Sequence, residues 1–277
     1  MSVVINGTNG VTYNDGTIQA TAPAQKNKII NGNFAINQRG VSGTVSLSAG
    51  AYGHDRFKAG SSGCTYTFAT SANVTTITIT AGSLQQVIEG VNLQSGTHVL
   101  SWTGTAQAKI DSGSYADTGV TATLTGGTNA TVEFGTGTVT KAQLEAGTTA
   151  TPFENLQFTN QLQLCQRYYY KSYAQNSGTV PLTSSGWIGS RHGIAYATNN
   201  IGMDVRYPVI MRASPTVTIY HQDGTTPNVY EIHTGVKRAV TGVQYGNDSG
   251  VWNITASVAD LGVTAHYYFQ MTAIAEL

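Results

Sequence analysis

The chain has 277 residues, of which 10% are charged, against about 25% in a typical soluble domain. Its 14 Lys+Arg balance 14 Asp+Glu, for a net charge of +0, which argues against a general nucleic-acid binder needing surplus cations and gives no attraction to an anionic bilayer. Glycine is plentiful at 32 residues and threonine abundant, both poor helix formers, so a mainly β protein is expected, with 40% hydrophobic content enough for real cores.

Residues 1–27 read as an N-terminal β segment and linker. Val3-Val4-Ile5, Val11-Thr12-Tyr13 and Thr17-Ile18-Gln19 are strand-like, and Asn6-Gly7, Asn9-Gly10 and Asp15-Gly16 suit hairpin turns. The start MSVVINGTNG lacks a basic stretch followed by an apolar run, so no secretory signal is expected and synthesis in a reducing cytoplasm follows. No stretch approaches the roughly 18 apolar residues of a membrane span, so no membrane insertion is expected.

Residues 28–154 continue as β structure. Val74-Thr75-Thr76-Ile77-Thr78-Ile79-Thr80 alternates with the period of a strand wet on one face. Turn clusters such as Gly60-Ser61-Ser62-Gly63 divide such runs, the pattern of a β-sandwich or a jelly roll.

Residues 155–173 break the rhythm and read as a short α-helical connector. Phe158, Leu162, Cys165 and Tyr169 are spaced to line one helical face, and Thr159 or Asn160 is placed to cap its start. A helix this short must dock on something. It packs either on its own domain or along a seam with symmetry mates, and spacing alone does not separate the two. The only cysteines, Cys64 and Cys165, are far apart and form neither a disulfide framework nor a zinc spacing.

Residues 174–277 return to β patterning. Of the 15 tyrosines, 11 lie after residue 160, as do four of the six histidines. Such residues enrich recognition surfaces, though tyrosine is also a good strand residue.

Several blocks occur in order: KIINGNFAINQRG (28–40), HDRF (54–57), VTKAQLEAGTTATPFE (139–154), QLQLCQRYYYKS (161–172), YPVIMRASPTVTI (207–219) and the final TAIAEL (272–277). Together they resemble the C-terminal half of tail-fibre and receptor-binding proteins of tailed bacteriophages. The resemblance implies a homotrimeric virion appendage with a carbohydrate-binding-module-like jelly roll at 28–154 and, at 174–277, a distal C-terminal β-sandwich tip that binds the receptor. It implies assembly in the bacterial cytoplasm, partners among other tail or adaptor proteins, and a host cell-surface glycan such as lipopolysaccharide as target. On that reading Phe158, Leu162, Cys165 and Tyr169 form a trimer seam. A structural virion fibre or decoration protein, such as a head fibre, is the alternative function.

Catalytic signatures are missing. There is no G-x-S-x-G elbow, H-E-x-x-H, P-loop or G-x-G-x-x-G. Asp111 with Asp117, or Asp204 with Asp223, has no glycosidase-like context, so no enzyme is expected. No cofactor is expected either. Asn31-Gly32-Asn33 is a candidate oxygen set for structural calcium, but falls short of the six to eight ligands that ion takes. Asp55 and Arg56 are expected to pair and brace a strand end. For glycan recognition the candidates are Trp187, His192, Tyr220, His221 and Asp223, which set aromatic and polar groups in Gly-rich, loop-like contexts.

Overall fold

The computed structural model describes residues 4–6, 10–12, 18–19, 25–72, 74–175, 177–178, 191–256 and 261–277. The chain is mostly β, with one short α-helix among the described residues. At its start β1 (Val4–Asn6), β2 (Gly10–Thr12) and β3 (Ile18–Gln19) pair into a small antiparallel sheet.

The first β-domain contains β4 (Val45–Leu47), β5 (Lys58–Ser71), β6 (Val74–Ile88), β7 (Gly96–Thr103), β8 (Ala108–Ile110), β9 (Val120–Leu124), β10 (Ala130–Phe134) and β11 (Gly137–Ala146). Its strand order is β4-β5-β6-β11-β7-β9, with β10 bridging β6 to β8. The long β5–β6 hairpin serves two sets of neighbours. Ile77–Ile79 of β6 pair with β11, while Leu84–Ile88 pair with β10. Between these halves the register shifts near Gly63 and Gly82, both at positive φ. A Cβ on Gly82 would stand 2.1 Å from the Gly63 carbonyl oxygen, so the corner requires glycine. One core fills this domain, built around Phe34, Phe57, Tyr66, Trp102 and Phe134.

The helix, α1 (Phe158–Gln166), is shorter than the sequence predicts. Thr159 and Asn160 lie inside it, and Gln157 precedes it without a side-chain cap bond. Its buried face is also rotated. Gln161, Cys165 and Gln166 point inward, whereas Phe158 is 59% exposed. The polar Gln161 is drawn in because its Oε1 accepts from the Asn31 N–H at 2.9 Å, a buried donor that needs a partner. Cys165 then packs with Ile30, Ile36 and Tyr168, with Leu162 at the margin. Tyr169 has left the helix for the next strand and is buried. The expected four-residue seam is therefore divided: Cys165 and Tyr169 are buried within the chain, because the helix docks on its own chain.

The C-terminal β-domain contains β12 (Tyr169–Lys171), β13 (Arg191–Ala197), β14 (Asn200–Arg206), β15 (Thr216–Tyr220), β16 (Asn228–Glu231), β17 (Lys237–Gly246), β18 (Gly250–Ala256) and β19 (His266–Ile274). The order runs β12-β19-β13-β14-β18-β17-β16, and β16 pairs back onto β19. The hydrogen-bonded circuit thus closes, which removes open edges from the ring. Ile201, Val229, Val251, Ile254, Tyr267 and Phe269 fill its interior.

The two domains meet across a buried polar junction. Asp55 accepts from the Gln38 backbone N–H and from Gln38 Nε2, each at 2.6 Å, rather than pairing with Arg56 as expected. Arg56 is an ion-pair partner of Glu276, donates to the Val87 carbonyl at 2.8 Å and lies 3.6 Å above the Tyr168 ring. Its carboxylate partner thus comes from the far end of the chain. Arg39 also reaches Glu276, at 3.0 Å. Lys171 is buried and donates to the carbonyls of Gln38 and Ser177.

Candidate functional site

Outward positions on β13 and β19 form the first feature of interest. Ala195, Tyr267 and Phe269 alternate inward, which leaves His192, Ile194, Tyr196 and His266 on the outer surface, with Tyr268 half-buried beside them. The register sets His192 against Tyr268 and Ile194 against His266. His192 Nε2 and His266 Nδ1 stand 2.7 Å apart, a hydrogen bond in which one ring donates and the other accepts. Partial burial and the neighbouring His266 both lower the pKa of His192, which favours its neutral ring.

Beside this pair lies a cleft of about 480 Å³ between the end of β16 and the loop entering β19. His233, Val263, Thr264, His266 and Tyr268 line it, with Glu231 at its base. Backbone bonds hold the walls: Ile232 N–H donates to the His266 carbonyl, and Thr264 N–H to the Ala195 carbonyl. Thr264 sits at φ 70°, a left-handed conformation that a β-branched residue rarely adopts. Glu231 accepts from Arg238 Nε at 2.7 Å. The cleft therefore combines a tyrosine face, two imidazoles and a threonine, a set able to stack on a sugar ring and bond its hydroxyls. It lies at the end of the domain away from α1, because β19 runs from His266 to Ile274, which pairs with β12 directly after the helix.

His221 and Asp223 form a separate group. His221 is buried, with its Nδ1 2.8 Å from Asp223 Oδ1. Asp223 also accepts from Lys237 Nζ at 2.5 Å and from Thr225. Burial pushes this carboxyl up, but the bonds from Lys237, Thr225 and His221 outweigh it and hold the pKa below the usual range. Both residues are thus spent on closing the turn after β15, and Tyr220, the last residue of β15, is half-buried opposite Gln270. Trp187 lies outside the described residues. Of the predicted ligand group, only His192 borders the cleft's histidine. The sequence does not single out Tyr268, because Tyr267-Tyr268-Phe269 alternates and only the register tells which tyrosine faces out.

The acids weighed as catalytic pairs have separate partners. Asp111 accepts from the Thr131 N–H at 2.7 Å, Asp117 from Gln107 at 3.3 Å, and Asp204 faces Arg206 at 3.4 Å. The Asn31-Gly32-Asn33 set does not fit calcium. Asn31 Oδ1 accepts from the Ile36 N–H at 2.9 Å, its Nδ2 donates to two carbonyls, and Asn33 Oδ1 accepts from the Ala35 N–H. Those bonds close the turn that shapes the junction.

No family model matches this chain, and neither a curated protein nor a solved structure is significantly similar to it.

Proposed function

We propose that the chain is a non-enzymatic attachment subunit of a tailed-phage virion. It acts as a homotrimer that binds host cell-surface glycan, such as lipopolysaccharide, through its C-terminal β-domain. The observation that carries this reading is the cleft lined by His233, His266 and Tyr268 at the end of the domain remote from the helix. An aromatic face with planar polar groups suits a solvated sugar. Each such site is weak, because sugar hydroxyls exchange water bonds for protein bonds at little net gain. Three copies on one particle raise avidity by about 10²–10⁴ without new contacts.

The assembled protein, applied to a bacterial glycan array, should bind a defined subset of glycans. Tyr268→Ala and His266→Ala should each abolish binding while leaving the unfolding transition in place. Array binding unchanged in both variants sinks the assignment of this cleft.

A structural role as a virion fibre or decoration protein is the second reading. It is favoured by Tyr196 and Trp252, which are 60% and 36% exposed on β13 and β18, either side of β14. Large exposed aromatics on neighbouring strands suit packing between subunits. Virions that lose this chain yet adsorb normally to host cells would favour that reading.

A further inference from the structure

Two imidazoles that converge at a surface can do more than bond each other. His192 of β13 lies opposite Tyr268, and His266 stands two residues before Tyr268 on β19, so the histidines hold diagonal positions on one face of paired strands. The backbone around them is fixed in the sheet. Ala195 N–H donates to the Ala265 carbonyl, and Ile232 N–H to the His266 carbonyl. The His192 ring rests beside the Tyr268 ring, with centroids 5.6 Å apart. Strand register therefore aims both rings at one point, His192 through Nε2 and His266 through Nδ1, 2.7 Å apart. Both side chains are exposed, so an ion from solvent can reach that point.

Neutral imidazole is the commonest protein ligand for transition metals. The separation of the two nitrogens selects the geometry. Metal–imidazole bonds of about 2.0 Å place two nitrogens about 2.9 Å apart at a right angle, and about 3.3 Å apart at a tetrahedral angle. The observed 2.7 Å lies nearer the right angle, the arrangement of square-planar or tetragonal Cu²⁺ and Ni²⁺ rather than of tetrahedral Zn²⁺. Among the described residues no third His, Cys, Asp or Glu joins the pair to make a metal-holding group of three. The chain therefore supplies two ligands, and the other positions stay open to water or to oxygen donors from outside.

We infer that His192 and His266 form a bidentate site for a divalent transition metal of tetragonal preference, Cu²⁺ or Ni²⁺. The rings need to part by only about 0.2 Å to admit the ion at a right angle. The ring that donates in the present hydrogen bond moves its proton to its other nitrogen. Both facing nitrogens then ligate, and the neutral pair releases no net proton. The site adjoins the cleft beside His266 but does not depend on the proposed attachment role.

The test is calorimetric titration of the full chain with Cu²⁺, Ni²⁺, Zn²⁺ and Mg²⁺ near neutral pH, joined to pulsed EPR of the copper form. One copper should bind per chain, with nickel at least as tight as zinc and no binding of magnesium. The EPR should show two coordinated imidazoles. His192→Gln and His266→Gln each keep a polar group across the strands but remove one ligand. Each should weaken copper binding by about 100-fold or more, the loss of a chelate. His233→Gln should change nothing. His233 is the one exposed histidine outside the pair, because His54, His98 and His221 are buried, as are both cysteines. Several results overturn the inference: wild-type copper affinity in either pair variant, a single imidazole by EPR, zinc tighter than nickel, or loss of copper in His233→Gln. The EPR count needs no variant, so it decides the matter even where a substitution disturbs the strands.

Discussion

Arg56 and Glu276, 220 residues apart in the chain, form a buried ion pair where the two β-domains meet. Around them gather the residues of several sequence blocks. Gln38 and Arg39 come from the first, Asp55 and Arg56 from the second, Tyr168 and Lys171 from the block that starts in the helix, and Glu276 from the last. Arg212, from YPVIMRASPTVTI, donates to the carbonyls of Ala275 and Glu276. Tyr52 and Lys58 bond the carbonyl of Leu277. Residues from five of the six blocks, all but 139–154, therefore meet where the two domains pack.

Removing one partner of this pair should be severe. Glu276→Ala leaves Arg56, 2% exposed, as an uncompensated buried cation, and should cost about 3–5 kcal/mol in urea unfolding. The double variant Arg56→Met with Glu276→Leu should recover more than half of that loss, since apolar replacement of both charges avoids their desolvation. An unchanged urea midpoint for Glu276→Ala would show that the pair contributes nothing.

Acid should destabilise the first domain through His54. Burial lowers its pKa from 6.5 to about 4, and its Nδ1 lies 3.0 Å from Tyr66 Oη. Below about pH 6.5 the unfolded chain takes up a proton that the folded chain refuses until about pH 4. The stability held by this group is therefore complete above pH 6.5 and is lost as pH falls through the folded value, about 3 kcal/mol in all. His54→Phe should flatten that part of the stability–pH curve. A slope identical to wild type would assign the acid sensitivity to other groups.

Both cysteines are free and buried. Burial pushes the Cys64 thiol up to about 11 and that of Cys165 up as well, so neither supplies much thiolate at neutral pH. Thiol reagent should label native protein slowly and denatured protein at two sites per chain. Rapid labelling of either residue in native protein contradicts this placement.

Oligomer contacts should involve the outer aromatics of the C-terminal domain more than the helix. Tyr196→Asp should shift the sedimentation coefficient toward monomer at micromolar concentration, with the unfolding transition retained. Phe158→Asp, on the exposed side of α1, should leave the oligomer intact. Dissociation by Phe158→Asp alone would restore the helical seam in place of the strand face.

Local pattern and long-range pairing contributed differently to this protein. Alternation in Val74–Thr80 and in Pro215–Tyr220 marks strands, because a strand's two faces are set by its own residues. The β class and the position of the helix were legible for that reason. The helix's inward face was not. Apolar spacing selects Phe158 and Leu162, but the buried N–H of Asn31, 130 residues away, needs an acceptor and draws Gln161 inward instead. The same limit applies to Asp55 and Arg56, adjacent in sequence yet bonded to Gln38 and Glu276. It applies again to Tyr268, which reaches a cleft only because β19 pairs with β13 and β16. Sequence periodicity reports which side of an element is apolar. Which donor meets which acceptor, and which outward residues converge, depends on strand register and on the closed circuit of the C-terminal sheet, and these are settled only when distant segments pack.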